Sequence, residues 1–400
     1  MTKSPAAPGR IAVIDAIRGF AVIGILLANI QSWSGYKFLL FANIAELPLH
    51  EWDALFSLLN ATLVDGRFYS IFSLLFGVGF GIQYVKNRDR QGAFIPVYRR
   101  RMFFLLLIGC AHALVWSGDI LTLYALLAFA LIALRNLRDR QVLVLAMGLL
   151  LAFVATHALN MFFFEVPVPG EKLAAKVYPD MSPSELNAVL AHGSLVDVFQ
   201  LNLHNLYWRW LDFLPNGRIT RVLGLFLLGF WMARTHYFAD AIYSLRNLLL
   251  FIVIGTLSTY WSLRLGGNLS YWAYSASDLG LKVLIVLGQI FVALAYMSLL
   301  ARLFRQSWGE SLLWPFTQIG RMAFTNYLLQ TVIGISVFYG VGLGFYGQYG
   351  LAQLWLWALV IFVFQVCFSA TWLAFFRQGP VEWLWRCLSQ GQFQPILRGA

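Results

Sequence analysis

Two ionisable residues stand seven positions apart where two apolar runs of the sequence meet. His112 lies inside "RMFFLLLIGCAHALVW", and Asp119 opens "GDILTLYALLAFALIALR". A continuous helix would hold these side chains about 10 Å apart, too far for a hydrogen bond. If the chain folds back at Gly118, the imidazole and the carboxylate can form a general-base pair. The structural alternatives are that His112 links two helices and that Asp119 caps the second one.

Other polar residues interrupt long apolar stretches. Placing an ionisable group at the centre of a bilayer costs about 3 kcal/mol of free energy, so such residues are expected to have a structural or functional role. Asp15 and Arg18 can pair on one helix face, and Gly19 lets another backbone approach. Asn326 and Gln330, four residues apart, share a face. Simple links between helices are the structural alternative for each pair, and a kink is the alternative at Asp65. The candidates for a polar cavity are Asp15, Asn29, Asp65, Arg67, Asn326 and Gln330.

The composition restricts the fold class. The chain has 400 residues, of which 60% are hydrophobic and 12% charged, too few polar residues for a soluble protein of this length. Its apolar stretches of about 18–25 residues match helices that cross a bilayer. We therefore predict one all-α integral membrane domain over residues 1–400, a polytopic bundle of about ten spans. The predicted helices are 11–33, 54–85, 101–117, 119–135, 141–164, 219–236, 247–265, 281–303, 313–331 and 351–376.

Two stretches are ambiguous and would raise the number of spans to eleven or twelve. Residues 331–350 are apolar but broken by glycines, which is typical of an interrupted or re-entrant segment. Residues 196–214 form an amphipathic pattern in which Val196, Phe199 and Leu203 share the apolar face. This helix belongs to the largest predicted external loop, residues 165–218, and either lies in the membrane interface or lines a cavity.

Basic residues predict the orientation of the bundle. An excess of arginine and lysine in alternate loops indicates a cytosolic side, and it places both termini there. The net charge of +11 also raises the question of nucleic acid binding, but the cytosolic arginines account for it without such a partner. Cys110, Cys367 and Cys387 show no metal-binding spacing, so no metal is predicted. The basic clusters fall within 86–101, 135–140, 234–246, 302–305 and 377–398.

Five stretches of the sequence together resemble a known family. They are "IDAIRGFAVIGILLANI", "GRFYSIFSLLFGVGFGIQ", "IGCAHALVWSGDILTLYAL", "GRMAFTNYLLQT" and "FRQGPVEWLWR". They occur in the same order as in the YeiB-type bacterial inner-membrane proteins, classed as domain of unknown function 418, and the resemblance covers nearly the whole chain. It implies a multi-pass protein of the bacterial inner membrane.

The resemblance also implies a reaction, because the family is grouped with transmembrane acyltransferases such as heparan-alpha-glucosaminide N-acetyltransferase. Their shared first-helix pattern stands here as Arg10, Asp15, Arg18 and Gly19. In that superfamily an acyl group passes from a cytosolic acyl-CoA to an acceptor across the membrane. The O-acyltransferases carry a histidine in the first helix, where this sequence has Asn29 and no histidine. The general base would then be His112 or His50.

The sequence-based hypothesis is a transmembrane acyltransferase-like protein acting on an envelope or exported small molecule or glycan. His112 would be the general base, oriented by Asp119, while Asn29 and Asn326 would donate hydrogen bonds to the oxyanion. The expected partners are membrane lipids, acyl-CoA and the acceptor, without nucleic acid, and an oligomer is compatible with the sequence. The alternatives are a transporter or lipid-linked exporter and a non-catalytic envelope protein. The arginines available for CoA phosphates are Arg18, Arg99, Arg100, Arg101 and Arg321.

Overall fold

The computed structural model describes residues 8–39, 44–163, 183–213, 217–266 and 275–398. These residues form helices joined by turns, with no strand among them beyond an isolated bridge between Phe376 and Leu397, which confirms the all-α class. The α-helices are α1 Pro8–Trp33, α2 Asp53–Leu59, α3 Arg67–Lys86, α4 Gln91–Val115, α5 Leu121–Leu134, α6 Asp139–Phe163, α7 Pro183–His192, α8 Leu195–Phe213, α9 Arg218–Arg234, α10 Tyr237–Tyr243, α11 Leu245–Leu265, α12 Ala276–Phe304, α13 Gly309–Arg321, α14 Ala323–Phe338, α15 Leu351–Phe375 and α16 Pro380–Gln390.

Several of these helices have the length and composition of membrane spans. Six segments of the described chain qualify, or seven if α9 and α10, bent by 99°, count as one. On α11 the outward face carries Leu249, Val253 and Leu257, each more than half exposed. Apolar side chains in such a row suit contact with lipid rather than water. The prediction of about ten spans counted shorter helices as well, including α5 and α14.

The centre of the bundle contains two helices, α3 and α9, that run parallel in close contact. A Cβ atom at Gly77 would lie 2.0 Å from the carbonyl oxygen of Phe226, and one at Gly229 would lie 2.2 Å from that of Leu74. Glycines on both helices therefore permit backbone-to-backbone packing, as expected where small residues drive association in membranes. Because the helices are parallel and begin at residues 67 and 218, their N-termini lie side by side.

A second close crossing joins α1 to α13. A Cβ at Gly19 would lie 1.9 Å from the carbonyl oxygen of Phe316, and a Cβ at Gly320 would lie 1.8 Å from that of Asp15. The two glycines are thus reciprocal, and the helices are antiparallel. The sequence-based expectation that Gly19 admits a neighbouring backbone is confirmed.

The predicted helix over 54–85 is interrupted near its middle. After α2 the chain makes a π-helical turn, Asn60–Val64, in which the Asp65 amide donates to the carbonyl of Asn60. Gly66 then takes a left-handed φ of +78°, and α3 begins at Arg67. A left-handed residue cannot continue a right-handed helix, and glycine adopts it without a steric penalty. The kink considered for Asp65 and Arg67 is therefore present.

The predicted helix over 313–331 is also wrong, because it is two helices separated at Met322. The amides of Phe324 and Thr325 donate to the Glu382 carboxylate of α16 instead of to carbonyls of α13. These bonds supply the partners that the first turn of a new helix lacks. Burial raises the pKa of the Glu382 carboxyl, an effect that the Thr325 hydrogen bonds oppose. The acceptor lies more than fifty residues away in sequence, so local patterning does not reveal the break.

The two ambiguous stretches have different outcomes. Helix α14 continues to Phe338 and is followed by turns, which the amide of Gly340 ties to α7 through the carbonyl of Leu190. The predicted amphipathic helix is present as α8, but its apolar face points away from the bundle, with Val196 63% exposed. That orientation agrees with a helix lying in a membrane interface. Residues 165–182 and 214–216 of the predicted loop lie outside the described residues.

The arginine clusters gather at one end of the bundle. Arg234, in the last turn of α9, pairs with Asp139 at the start of α6 at 2.5 Å and donates to the carbonyl of Arg135 at the end of α5. Arg302, in the last turn of α12, donates to the carbonyl of Tyr243. We call this side, which also contains the C-terminal helix α16, the arginine-rich end.

Candidate functional site

A buried hydrogen-bond chain lies where α4, α5 and α14 meet. Nδ1 of His112 lies 2.7 Å from Oδ1 of Asp119, and Nε2 of the same ring lies 2.9 Å from Oγ1 of Thr331. The exposed fractions are 8% for His112, 5% for Asp119 and 1% for Thr331. A carboxylate can only accept, so Nδ1 carries the proton and Nε2 accepts from the Thr331 hydroxyl. This is the arrangement of a carboxylate, an imidazole and a hydroxyl in which the imidazole acts as a base.

The chain folds back between the two helices, as a contact between His112 and Asp119 requires. Helix α4 ends at Val115, a short turn follows, and α5 begins at Leu121. A Cβ at Gly118 would lie 1.9 Å from the ring of Trp116, so this turn needs a glycine. The ring of Trp116 in turn packs against Trp33 of α1 with centroids 4.9 Å apart.

Asp119 also caps the second helix. Its Oδ1 accepts from the amide of Leu121 at 3.0 Å, and its Oδ2 accepts from that of Thr122 at 2.8 Å. The capping role predicted for this residue is therefore confirmed, and it coexists with the bond to His112. A carboxylate that accepts from three donors is held in one orientation. The helix start thus positions the group that fixes the histidine tautomer.

Helix α8 braces this turn from outside the hairpin. The side chain of Asn202 accepts from the amide of Ser117 at 3.2 Å and donates to the carbonyl of Val115 at 2.6 Å. Two helical turns later, Arg209 donates to the carbonyl of Gly118 at 3.0 Å. Both residues act on the backbone between His112 and Asp119, so α8 is a positioning element for the pair.

Asn326 and Gln330 share a face of α14, as predicted, but that face points toward α1 and α15. Asn326 Nδ2 donates to Ser369 Oγ at 2.9 Å and to the carbonyl of Ile319 at 3.3 Å. Gln330 donates to Gln365 of α15, and Gln365 returns a bond to the carbonyl of Asn326. Asn326 therefore uses both N–H donors inside the bundle, and it reaches an oxyanion only by giving up one of them.

The remaining candidates are spread over three places. Asp15 and Arg18 pair at 2.6 Å near the arginine-rich end, within electrostatic range of Arg321. Arg67 is 4% exposed and donates to Thr259 of α11. Asn29 is half-buried on α1, with no hydrogen bond of its side chain among the described residues. The polar residues thus form separate groups rather than one shared cavity.

The three consecutive arginines of α4 differ in their surroundings. Arg99 is exposed, whereas Arg100 donates to the carbonyl of Ser389 on α16. The guanidinium of Arg101 lies 4.0 Å from the ring centre of Trp385. His50, the alternative base, is exposed, and its Nδ1 lies 3.9 Å from the Glu51 carboxylate. No group of three metal-ligating side chains occurs in the part of the chain that the structure describes.

Sequence reasoning missed the hydroxyl that completes the chain and the side chain that braces it. Thr331 stands in the quoted "GRMAFTNYLLQT", one turn beyond Tyr327, whose ring lies 5.3 Å from that of His112. A threonine hydroxyl in a membrane helix commonly bonds its own backbone, so the sequence alone did not mark it. Gln365, an isolated amide in an apolar helix, was a readable signal for the second group.

The fold and this site define a class: a helical membrane protein with a buried carboxylate–imidazole–hydroxyl chain. A family model described as "Protein of unknown function (DUF418)" matches residues 232–392. The chain is 29% identical to "Uncharacterized protein YxaH" of Bacillus subtilis (strain 168), covering 97% of this chain and 96% of the relative. It is 28% identical to "Uncharacterized protein YeiB" of Escherichia coli (strain K12), covering 94% and 95%.

A third relative is the "Uncharacterized 39.9 kDa protein in amylase 3'region" of Bacillus acidopullulyticus, 28% identical, with 97% of this chain and 96% of that protein covered. No solved structure matches the chain. The chain is therefore similar to uncharacterised proteins of bacteria, YxaH and YeiB among them, and its residues 232–392 match the DUF418 family model.

Proposed function

We propose that this protein is an acyl-CoA-dependent transmembrane acyltransferase in which His112 is the general base. The observation that carries the proposal is the hydrogen-bond chain from Asp119 through His112 to Thr331. An imidazole with Nδ1 bonded to a carboxylate keeps Nε2 available for a hydroxyl proton, and the resulting imidazolium is stabilised. The Thr331 hydroxyl stands where an acceptor hydroxyl would bind once that bond opens.

The proposed reaction uses this geometry. Nε2 of His112 removes the proton from a hydroxyl or amine of the acceptor as its oxygen or nitrogen attacks the thioester carbonyl. The new carbon–oxygen or carbon–nitrogen bond forms, the carbon–sulfur bond breaks, and the departing thiolate takes the proton from His112. Asp119 keeps the ring in place and balances its positive charge during the step.

The donor would approach from the arginine-rich end, which we assign to the cytosol of a bacterium with the protein in its inner membrane. Arg101 lies within electrostatic range of Arg18 and Arg386, and Arg321 within range of Arg398. Guanidinium groups bind phosphate oxygens in pairs, as the phosphates of CoA require. The positive-inside rule alone also explains basic residues here, so the chemistry rests on His112 rather than on these residues.

The test uses the purified full-length protein in detergent with acetyl-CoA. We expect release of free thiol and a rise in melting temperature, with thiol release about 100-fold or more slower in His112→Gln. His192→Gln, at an exposed histidine of α7, is the matched control and should behave as wild type. Arg18→Ala should lose the thermal stabilisation. Thiol release at the wild-type rate in His112→Gln contradicts the proposal, as does a wild-type protein that neither cleaves nor responds to acetyl-CoA.

Transport is the second candidate, favoured by interrupted helices. The chain breaks at Gly66, at Met322 and between α9 and α10, and discontinuous helices are common around transporter binding sites. The protein reconstituted in vesicles separates the two functions. Substrate accumulation without any acyl donor, unchanged in His112→Gln, would favour transport over acyl transfer.

A further inference from the structure

Three arginines surround one tyrosine in the interior of the bundle, away from the arginine-rich end. Arg221 donates to the Tyr69 hydroxyl at 2.8 Å and to Gln289 of α12 at 3.0 Å. The Arg218 guanidinium lies 4.2 Å from the centre of the Tyr69 ring. Arg67 lies within electrostatic range of the same tyrosine. We call Arg67, Arg218 and Arg221 the inner arginine cluster.

The cluster lies where two helices begin together. Helices α3 and α9 run parallel, with Arg67 and Arg218 as their first residues. The residues before them, Gly66 and Gly217, have φ of +78° and +59°, and neither helix has a side-chain cap. The positive ends of two helix dipoles therefore add to the charge of the guanidinium groups, a setting that favours an anion.

A buried arginine at the end of the bundle opposite the arginine-rich end is costly, and orientation does not explain it. Arg67 lies about 28 Å along its helix from Lys86, and Arg221 about 20 Å from Arg234. The positive-inside rule concerns residues near the cytosolic surface. Arg67 is 4% exposed, and its Nε, like that of Arg218, is buried without a hydrogen-bond partner among the described residues. Each of these N–H groups is a donor that an oxyanion can accept from.

Aromatic residues connect the cluster to the candidate base. The Tyr124 hydroxyl donates to the carbonyl of Tyr69 at 3.1 Å, and Tyr124 lies within electrostatic range of Tyr327, which packs on His112. A second route runs through Phe213, whose ring lies 5.1 Å from the Arg209 guanidinium and 5.9 Å from that of Arg218. Arg209 also holds the turn between His112 and Asp119.

We infer that the inner arginine cluster binds an oxyanion group, a phosphate or a carboxylate, carried by the acceptor molecule. The assignment of this anion to the acceptor rests on the proposed acyl transfer, while the anion site itself does not. Three guanidinium groups and two helix N-termini would hold the charged group of the acceptor. Another part of the acceptor would then reach His112. The acceptor class would then be an anionic small molecule or glycan.

The experiment measures melting temperature of the purified full-length protein in detergent, with inorganic phosphate or acetate titrated against chloride at equal ionic strength. We expect a saturable rise of about 2 °C or more with at least one of the two oxyanions. Saturation by phosphate alone assigns a phosphate group, and saturation by acetate alone assigns a carboxylate. Absence of a saturable rise with either, relative to chloride, overturns the proposal.

Variants locate the binding. Arg218→Gln should raise the apparent Kd for the oxyanion at least tenfold. The control Arg140→Gln changes an exposed arginine of the arginine-rich end and should leave the Kd unchanged. An unchanged Kd in Arg218→Gln overturns the proposal. If that variant does not purify as a single species, Arg221→Lys decides, because it keeps the charge but loses the planar guanidinium. Its Kd must then rise, and an unchanged Kd overturns the site.

Binding needs no acyl donor, so the two proposals fail separately. A protein that binds phosphate through Arg218 but releases no thiol from acetyl-CoA retains the anion site and loses acyl transfer. A protein whose thiol release depends on His112 but that binds no oxyanion retains acyl transfer and loses the anion site.

Discussion

At the scale of single residues, Asp119 shows how one side chain can have a structural and a chemical role together. Its carboxylate accepts from two amides at the start of α5 and from the imidazole of His112. An ionised carboxylate offers about four acceptor positions, so the cap does not exclude the pair. The orientation of His112 therefore depends on the same bonds that begin the helix.

Thr331 provides a residue-scale prediction. Thr331→Val removes the hydroxyl while keeping the shape, so Nε2 of His112 loses its donor in a buried place. We expect a loss of about 1–3 kcal/mol in the free energy of unfolding, read as a lower melting temperature. Thr331→Ser, which restores the hydroxyl, should remain close to wild type. Equal melting temperatures for wild type and Thr331→Val would show that the bond contributes nothing to stability.

The Asp15–Arg18 pair provides a second prediction. Asp15→Ala removes the partner of Arg18, whose guanidinium lies 2.6 Å away at a partly buried position. We expect a larger fall in melting temperature than for Glu185→Ala, which changes an exposed carboxylate of α7, because an unpaired charge at a membrane boundary is costly. Equal falls for the two variants would contradict this view of the pair.

At the scale of elements, helix packing places each polar side chain. Helix α8 presents Asn202 and Arg209 to the turn between α4 and α5 while its apolar face stays outside. Glycines set the spacing elsewhere, since α1 and α13 approach to backbone contact at Gly19 and Gly320. The contact of α8 with the turn and the crossing of α1 with α13 can each be tested by mutation without changing His112 or Asp119.

The brace of α8 is tested with Asn202→Ala. The variant leaves the amide of Ser117 and the carbonyl of Val115 without their side-chain partner, so we expect a lower melting temperature. If acyl transfer occurs, its rate should fall while His112 remains present. Asn205→Ala, at a half-buried asparagine of the same helix with no recorded side-chain bond in the described part, is the control. Identical behaviour of the two variants would exclude the positioning role.

The crossing of α1 and α13 is tested with a pair of glycine substitutions. In Gly320→Ala the new methyl group would overlap the carbonyl of Asp15, so we expect destabilisation of about 1–3 kcal/mol or more. In Gly148→Ala nothing lies within 4 Å of the new methyl group, and helix propensity should stabilise α6 by about 0.5–1 kcal/mol. Melting temperatures that move in the same direction would contradict the close crossing.

At the scale of the whole molecule, basic residues lie in two regions at opposite ends of the bundle. The ends of α5, α9 and α12 bring Arg135, Arg234 and Arg302 to one side of the bundle. The inner arginine cluster is separate from them, since it lies at the opposite ends of α3 and α9. The bundle therefore has two basic regions with different explanations, one of orientation and one of binding.

Orientation is tested by cysteine labelling. The natural cysteines Cys110, Cys367 and Cys387 are replaced by serine, and single cysteines are introduced as Ala188→Cys in α7 and Asn136→Cys between α5 and α6. A membrane-impermeant maleimide should label Ala188→Cys in intact spheroplasts and Asn136→Cys only after permeabilisation, because arginine-rich loops stay cytosolic. Labelling of both sites in intact spheroplasts, or the reverse pattern, would overturn the assignment of sides.

Composition and local pattern determined the class of protein and most helices. Apolar runs of bilayer length define helices whether or not the neighbours are known, since lipid demands that backbone groups bond within the segment. The capping role of Asp119 and the close approach at Gly19 also follow from neighbouring residues. A kink at Asp65 and Arg67 was considered from the sequence, whereas the helix break at Met322 was not predicted, because it depends on Glu382, far away in sequence.

Only the tertiary structure decided which polar residues meet. Thr331 reaches His112 across 219 positions of sequence, and Arg221 reaches Gln289 across 68. A helix pattern shows which face a residue occupies but not which helix lies opposite, because that choice depends on the packing of the whole bundle. For the same reason Asn326 and Gln330 share the predicted face of α14, but their side chains bond to α15 and not to His112 or Asp119. Local chemistry thus identified the candidates, and long-range packing selected their partners.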